Sequence, residues 1–315
     1  MIRKPTPQRC MNEKILTIIV TYNGMKWIDK CIHSVLSSSI KSDIFVVDNA
    51  SSDSTPDYIA KNFPTILLTR CPKNLGFGAA NNIGLQYAID KGYDYVYLLN
   101  QDAWVKEDTF EKLISVQKQH PEYGILSPIQ LEANEQHFDY NFGAIISQWS
   151  KETKACEDLF FKREVEVIPF PRIMAAHWLI SRDCLINVGG FSPAFFHYGE
   201  DGNYADRVWH KGYKVGIVTS ATGIHDREKR RNSDEKKCLL EFYAKVSDIT
   251  GFQQSAKCVL WNYSYEILLN LLFSRKMFLC KISYFKKFLL NTPKYKKFKN
   301  ESLQKCAFLK ASSNI

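Results

Sequence analysis

Short apolar runs alternate with segments of helical periodicity in the first third of the chain. The runs at 14–21, 44–47, 66–68 and 95–99 predict strands, because each is nearly free of polar residues and too short to cross a membrane. The segments between them predict helices, and the first has one face that carries Trp27, Ile28, Cys31, Ile32, Val35 and Leu36. Successive strand–helix units of this kind predict a parallel, doubly wound sheet.

The alternation stops near residue 124, and the second half of the chain predicts a different arrangement. Short strands are expected at 124–127, 142–146, 165–169, 174–180 and 214–218, with little helix between them. We therefore expect an α/β fold in which a mostly parallel sheet continues into a mixed half, within one domain over 14–254. An N-terminal extension over 1–13 precedes this domain, and a basic, aromatic-rich helical tail over 255–315 follows it.

The positive charge of the chain is concentrated in the tail. The formal net charge is +9 at pH 7, but residues 255–315 hold 12 Lys and Arg against Glu266 and Glu301, which leaves 1–254 close to neutral. No nucleic-acid partner is expected, since the basic residues avoid the α/β body and no recognised binding motif occurs. Because the tail mixes lysines with aromatic residues, its helices are expected to lie on an anionic membrane surface. For 256–273 the alternatives of packing against the body or forming an oligomer contact stay open.

The cysteines and the N-terminus bear on the compartment. Nine cysteines occur without a CxxC pair or a Cys/His zinc spacing, which is typical of reduced thiols in a cytosolic protein. The basic N-terminus is not followed by an apolar segment, so no signal peptide is expected. With the tail, these features predict a cytoplasmic protein attached peripherally to the inner face of the plasma membrane.

Polar side chains follow three of the predicted strands directly, at Tyr22-Asn23, at Asp48-Asn49 and at Asn100-Gln101-Asp102. Open α/β sheets bind ligands at the carboxyl ends of their strands, so these side chains are expected to meet in one site. Amides and carboxylates there suit a nucleotide and a divalent ion on its diphosphate. Further along, Glu200-Asp201 opens a predicted helix and is positioned to supply a general base. The Gly76-x-Gly78 pair is a poor match to a dinucleotide fingerprint, because Asn81 occupies the third glycine position.

Five segments in this order resemble glycosyltransferase family 2, and the resemblance spans about 14–225. They are 20–23, 47–53, 74–82, 98–102, and 190–191 with 198–201. The resemblance implies a GT-A fold and direct, inverting transfer of a sugar from a nucleotide diphosphate. It is closest to the rhamnosyltransferase-like branch that builds bacterial surface polysaccharides. It further implies a UDP- or dTDP-linked donor, a glycan or lipid-linked acceptor, and Mg²⁺ or Mn²⁺ as cofactor.

The resemblance also implies a role for each matching residue. Asp102 would be the last Asp of the Asp-x-Asp metal motif, with Asn100 in the first position, and His225 would be a further metal ligand. Asp201 would be the general base, or Glu200 if the loop turns differently. Donor contacts are implied for Thr21, Tyr22, Asn23, Asp48, Asn49, Asn74, Asn82, Asn100 and Gln101.

Other interpretations of these residues remain open at this point. His225 could equally be a loop histidine with satisfied hydrogen bonds, and Asp53 is expected to be a turn or helix-cap residue. Arg207 is expected to pair with the Glu200-Asp201 carboxylates. The segment with Arg227, Arg230 and Arg231 could close over phosphates or be a solvated charge run. The alternative function is a catalytically inactive, transferase-like binding or scaffold subunit.

Overall fold

The computed structural model describes residues 13–154, 157, 158, 161, 163–227, 233–273 and 275–310, without the side chains of 270–273 and 275. The expected N-terminal extension and Arg230 and Arg231 lie outside these residues. The strands are β1 (Ile15–Thr21), β2 (Asp43–Asp48), β3 (Leu67–Arg70), β4 (Tyr95–Asn100), β5 (Ala103–Val105), β6 (Tyr123–Leu131), β7 (Val167–Pro169), β8 (His177–Ser181) and β9 (Lys214–His225). The helices are α1 (Ile28–Leu36), α2 (Thr55–Asn62), α3 (Phe77–Lys91), α4 (Thr109–Gln119), α5 (Tyr140–Thr153), α6 (Arg182–Val188), α7 (Glu200–His210), α8 (Asp234–Thr250), α9 (Ala256–Phe273) and α10 (Arg275–Glu301).

One mixed sheet organises the fold, in the order β3-β2-β1-β4-β8-β6-β9-β5, with β7 pairing β9 outside this path. The first four strands in this order are parallel, whereas β8 runs antiparallel to β4. The register pairs Thr21 with Asp48 and Val20 with Asn100, so the carboxyl ends of β1, β2 and β4 meet at one edge. The predicted α/β fold, with a mostly parallel sheet and a mixed second half, is confirmed.

The central strands are buried on both faces, which explains their continuous apolar runs. Successive side chains of a strand point to opposite faces, so Leu16 and Ile18 of β1 pack in one core layer while Ile15 and Ile19 pack in the other. Helices pack on both layers, and α3 and α4 lie against the sheet.

The predicted strand at 142–146 is wrong, because these residues form part of α5. The side chain of Asp139 caps this helix by accepting hydrogen bonds from the backbone N–H groups of Asn141 and Phe142. Phe142 and Ile146 are four residues apart and are both buried, which is the spacing of one helical face. A short apolar run is compatible with either a strand or a helix, and here the Asp139 cap favours the helix.

The tail packs against the body as a helical layer. Helices α9 and α10 contact each other and α8, and the shared core contains Phe242, Val246, Val259, Tyr263, Ile267, Phe288 and Tyr295. Val259, Tyr263, Ile267 and Phe288 were expected at a membrane interface, and for these four residues the expectation is wrong. They are buried against α8, which lies on the other side of the predicted domain boundary at 254. In the described part of the chain, no helix is long and apolar enough to cross a membrane.

Candidate active site

A cleft of about 1540 Å³ opens at the carboxyl edge of the sheet. It brings together most of the residues predicted from the sequence: Tyr22, Asn23, Asn49, Asn74, Asn100, Gln101, Asp102, Glu200, Asp201 and His225. Thr21, Asp48 and Asn82 do not line it. The side chains of Thr21 and Asp48 are buried behind the cleft wall, and the side chain of Asn82 is bound to the backbone of Phe191 at 2.7 and 2.9 Å.

Asp48 holds the loop after β2 in place. Its carboxylate accepts hydrogen bonds from the Thr21 hydroxyl at 2.9 Å, the Ser51 hydroxyl at 2.5 Å and the Ser51 backbone N–H at 3.1 Å. The loop needs this support because Ala50 has a φ of 64°, in the left-handed region that disfavours side chains. Asp48 therefore supports the loop after β2 from behind, and Asn49 in this loop lines the cleft.

Two amide side chains shape the wall next to β1. Asn23 accepts hydrogen bonds from the backbone N–H groups of Ser52 at 2.8 Å and Asp53 at 3.3 Å. Gln101 bonds both backbone groups of Tyr22, with its Oε1 accepting at 2.8 Å and its Nε2 donating at 3.1 Å. Asp53 accepts from the backbone and hydroxyl of Thr55 at the start of α2, which confirms its predicted turn role.

The loop before α3 is held in the same way. Asn49 donates from Nδ2 to Asn74 Oδ1 at 3.0 Å and accepts from the Leu75 backbone N–H at 2.7 Å. Asn74 Oδ1 also accepts from the Gly76 N–H at 2.9 Å. Gly76 has a φ of 84°, and a Cβ there would lie 2.1 Å from the Phe196 carbonyl oxygen, so only glycine fits. The two asparagines thus fix the loop before α3, and Gly76 allows this loop to lie close to the backbone of Phe196.

Asp102 and His225 meet because β5 pairs with the end of β9. The antiparallel register places Ala103 opposite His225, and the Asp102 Oδ1 lies 3.3 Å from the His225 Nε2. Burial raises the pKa of the Asp102 carboxyl, but the hydrogen bond and charge of His225 and the charge of Arg227 outweigh it, so the pKa lies below its usual value. His225 is buried at the end of β9, next to the carboxylates of Asp102 and Asp139.

Asp139 is a site residue that the sequence interpretation missed. Its Oδ2 lies 3.7 Å from the His225 Nδ1 and 3.4 Å from the Arg227 Nε, while its Oδ1 caps α5. Its side chain is almost fully buried and lines the cleft. The sequence signal for this role is an Asp three residues before Phe142, which indicates a helix N-cap only if 142–146 is helical.

The pair of Asp102 and His225 fits a divalent cation. Adjacent ligands of an octahedral ion with bonds of about 2.1 Å lie about 3 Å apart, close to the observed 3.3 Å. Asp139 stands behind the imidazole as outer carboxylates stand behind metal-binding histidines. Among the described residues there is no group of three or more Cys, His, Asp or Glu side chains that could hold a metal. The protein would therefore supply two ligands, and the remaining positions would fall to the donor or to water.

Glu200 and Asp201 form a second acidic pair across the cleft, at the first turn of α7. The backbone enters this helix through Tyr198 and Gly199, with φ values of 75° and 86°. Burial, and then the neighbouring Asp201 charge, raise the pKa of Glu200 to about 8. Its buried Oε2 has no hydrogen-bond partner. Burial also raises the pKa of Asp201. The hydrogen bond that Asp201 accepts from the Gly202 N–H at 2.8 Å and the charges of Arg172 and Arg227 lower it, but they do not outweigh burial.

The predicted pairing of Arg207 with these carboxylates is wrong. Arg207 donates to the backbone carbonyls of Val188 at 2.8 Å and Gly190 at 2.5 Å, and to the Asn203 Oδ1 at 3.3 Å. It lies two turns, about 10 Å, beyond Glu200 along α7. The carbonyls at the end of α6 lack helical partners, and the buried guanidinium satisfies them.

The fold and site define a class of protein. The sheet, with carboxylates and amides at its strand ends, is that of GT-A glycosyltransferases. The mannosyltransferase PcManGT from Pyrobaculum calidifontis, solved with GDP-Man and Mn²⁺, superimposes with a TM-score of 0.58 at 18% identity, covering 95% of this chain and 88% of that one. At this identity the likeness shows the fold alone.

Sequence comparison gives the family. Residues 17–172 match the model of Glycosyl transferase family 2, so this chain carries a glycosyltransferase family 2 domain. The N-acetylglucosaminyl-diphospho-decaprenol L-rhamnosyltransferase of Mycobacterium tuberculosis is 22% identical over 244 residues, which cover 71% of this chain and 80% of that protein. The dTDP-rhamnosyl transferase RfbF of Shigella flexneri is 26% identical over 129 residues, 41% of this chain and 42% of that protein. The predicted family is confirmed.

Proposed function

We propose that this glycosyltransferase moves a sugar, with inversion, from a UDP- or dTDP-linked donor to a hydroxyl of a lipid-linked glycan acceptor in cell-surface polysaccharide synthesis. The observation that carries the proposal is that one cleft holds both the Asp102–His225 pair and the Glu200–Asp201 pair. The first pair suits a diphosphate with its metal, and the second suits an acceptor hydroxyl. The rhamnosyltransferase relatives support the donor and acceptor classes.

The donor is proposed to lie along the edge where β1, β2 and β4 end. Tyr22, Asn23, Asn49 and Asn74 line that part of the cleft, and Thr21 and Asp48 hold its wall from behind. A divalent cation bound at Asp102 and His225 would neutralise charge that develops on the leaving diphosphate. Because Mg²⁺ is bound almost entirely by oxygen, the imidazole in this pair favours Mn²⁺.

Asp201 is proposed as the general base. With a pKa of about 8, Glu200 keeps its proton at neutral pH, and two adjacent carboxyls do not readily ionise together. Asp201, with the Gly202 N–H at 2.8 Å, is then the ionised partner. As the acceptor oxygen bonds to the anomeric carbon, the bond to the diphosphate breaks and the hydroxyl proton passes to Asp201. Glu200 would bind the acceptor as a hydrogen-bond donor.

A cytoplasmic location is part of the proposal. None of the described cysteines forms a disulfide, which is usual in a reducing compartment; they are Cys31, Cys71, Cys184, Cys238, Cys258, Cys280 and Cys306.

Two aromatic side chains at the cleft, Tyr140 at 72% and Phe196 at 54% exposure, offer apolar surface to an acceptor. The intact acidic pairs give no support to the catalytically inactive alternative.

The test is a panel of UDP-, dTDP- and GDP-sugars, each with and without Mn²⁺, followed by thermal shift and donor hydrolysis. We expect one uridine or thymidine donor to raise the melting temperature and to be hydrolysed slowly, and Mn²⁺ to strengthen both effects. A protein that neither binds nor hydrolyses any donor in the panel would contradict the proposal.

Asp102→Asn tests the metal position within the same assay. We expect it to remove the Mn²⁺-dependent part of donor binding, because a neutral amide is a much weaker ligand than a carboxylate. The matched control is Asp226→Asn, since Asp226 lines the same cleft and its carboxylate accepts a hydrogen bond from the Trp27 indole at 3.0 Å. Equal donor affinity of Asp102→Asn and wild-type protein, with and without Mn²⁺, would refute the metal assignment.

A further inference from the structure

Helix α9 is apolar on two opposite faces. Val259, Tyr263 and Ile267 face inward and are buried in the core shared with α8 and α10. On the other side Trp261, Tyr265 and Leu268 are exposed to 75%, 56% and 60%. Their spacing of four and three residues places them in one stripe, which we call the outer face of α9. Three large apolar side chains in a row on a surface mark an interaction site more often than scattered single ones do.

Exposed basic residues lie on α9 and on α10, the helix that packs beside it. Lys257 lies one turn before Trp261 and is exposed, and Lys276, exposed to 76%, is the second residue of α10. The exposed side of α10 adds Lys286, Lys287, Lys294 and Lys297. Aromatic residues with flanking lysines are the composition of helices that lie at a membrane interface, where rings reach the acyl boundary and ammonium groups meet anionic headgroups.

The start of α10, which follows the end of α9, lies near the cleft. Lys276 at the start of α10 lies 3.2 Å from the Asp234 carboxylate, and the Met277 sulfur lies 3.9 Å from that of Cys238. On the same first turns of α8, Lys236 and Leu240 line the cleft. The C-terminal end of α9, which directly precedes α10, therefore lies close to the turn of α8 that lines the cleft.

We propose that the outer face of α9 docks on an anionic phospholipid surface and so presents the cleft to an acceptor whose sugar is carried on a membrane lipid. The proposal rests on the lipid-linked acceptor of the proposed function and adds the surface that reaches it. Charge favours a membrane over a second copy of this chain, because 12 basic residues against 2 acidic ones in the tail would repel an identical tail. Anionic headgroups attract the same residues.

The test is co-sedimentation of the full chain with vesicles of phosphatidylcholine, with and without phosphatidylglycerol. The variant is Trp261→Ser with Leu268→Ser, and the control is Leu36→Ser with Leu67→Ser, which removes two other exposed apolar side chains. We expect binding to phosphatidylglycerol vesicles that falls at least tenfold in the α9 variant, weakens with salt and persists in the control. The melting temperature should stay unchanged in both.

Three results would overturn the proposal. The first is that the wild-type protein does not sediment with anionic vesicles, and the second is that the α9 variant binds them as well as wild type does. The third is that light scattering shows a dimer for the wild-type protein and a monomer for the α9 variant. The last result would show that the outer face contacts protein. Hydrolysis of a soluble donor, measured on the same preparations, separates the two proposals, because it depends on the cleft and should be equal in both variants.

Discussion

At the scale of single residues, the neighbouring carboxyl groups of Glu200 and Asp201 have the greatest chemical consequence. Both are withdrawn from water, and each disfavours the charge of the other, so the pair holds a proton at a pH where isolated carboxyls are ionised. The two differ in their surroundings. Asp201 has a backbone N–H donor and nearby arginines, whereas the Glu200 Oε2 has no partner. This asymmetry assigns the charge to Asp201.

Asp201→Asn should lower the transfer rate by a factor on the order of 100 to 10,000 and change donor affinity little, because a base acts in the transition state. Glu200→Gln should keep most of the rate, since glutamine can still donate a hydrogen bond. Steady-state kinetics with the active donor would measure both. If Glu200→Gln is the more damaging change, the two roles are reversed.

Glu200 should also make stability depend on pH. Its pKa rises from 4.5 in the unfolded chain to about 8 in the folded protein, so the folded state binds the extra proton between these values. The stabilisation is complete below about pH 4.5 and is lost as the pH rises through about 8, at about 1.4 kcal/mol for each pKa unit. The difference in melting temperature, Glu200→Gln minus wild type, should therefore increase between pH 5 and pH 9, because only the wild-type protein loses this stabilisation. The exposed Glu152→Gln is the control and should show no such trend.

At the scale of elements, the start of α5 joins a helix cap to the metal position. One oxygen of Asp139 caps the helix, and the other faces His225 and Arg227. The Asp139 carboxylate therefore places a negative charge 3.7 Å from the Nδ1 side of the His225 imidazole, while the Asp102 carboxylate lies on the Nε2 side. The position of one helix terminus thereby sets the orientation of a side chain at the end of a distant strand.

Asp139→Asn separates these two roles. Asparagine caps a helix about as well as aspartate, so the melting temperature should change little. The negative charge beside His225 is lost, and Mn²⁺ affinity should fall about 10- to 100-fold, as for other outer-shell partners. Titration with Mn²⁺ would measure this. Asp139→Ser, which also caps, should give the same loss, and unaltered Mn²⁺ affinity in both variants would show that Asp139 acts only as a cap.

At the scale of the whole molecule, the C-terminal segment ties the tail to the site. After α10 the chain returns to the body, where the Cys306 N–H donates to the Ile186 carbonyl at 2.7 Å and the Ala307 carbonyl accepts from the Gly190 N–H at 2.8 Å. Gly189 has a φ of 85°, and a Cβ there would lie 2.2 Å from the Ala307 carbonyl oxygen. The turn that leads from α6 toward Glu200 is thus packed directly against the C-terminal segment.

Truncation after residue 254 should therefore destabilise the body. It would expose Phe242 and Val246 of α8 and remove the partner of the Gly189-Gly190 turn. We expect a large fall in melting temperature or insoluble protein, measured against truncation after residue 310. Phe288→Ala should cost about 3–5 kcal/mol of unfolding free energy by itself, whereas Leu290→Ala, at 83% exposure, should cost little. A truncated protein as stable as full length would contradict the packing role.

The sequence by itself determined the parallel half of the sheet and the positions of Asp48, Asp102 and Glu200-Asp201. The reason is that buried strands carry continuous apolar runs and that polarity changes where each strand ends. Only the tertiary structure decided which of the predicted site residues face the cleft, because the Asp48 side chain bonds Thr21 of the neighbouring strand and the Asn82 side chain bonds Phe191, both of which are distant in sequence. It also decided the helix at 140–153, the partners of Arg207 and the packing of the tail. The partners of Arg207 and the packing of the tail depend on contacts between separate segments of the chain, which hydrophobic periodicity does not reveal. The helix depends on the local Asp139 cap, because the apolar run at 142–146 is compatible with a strand or a helix.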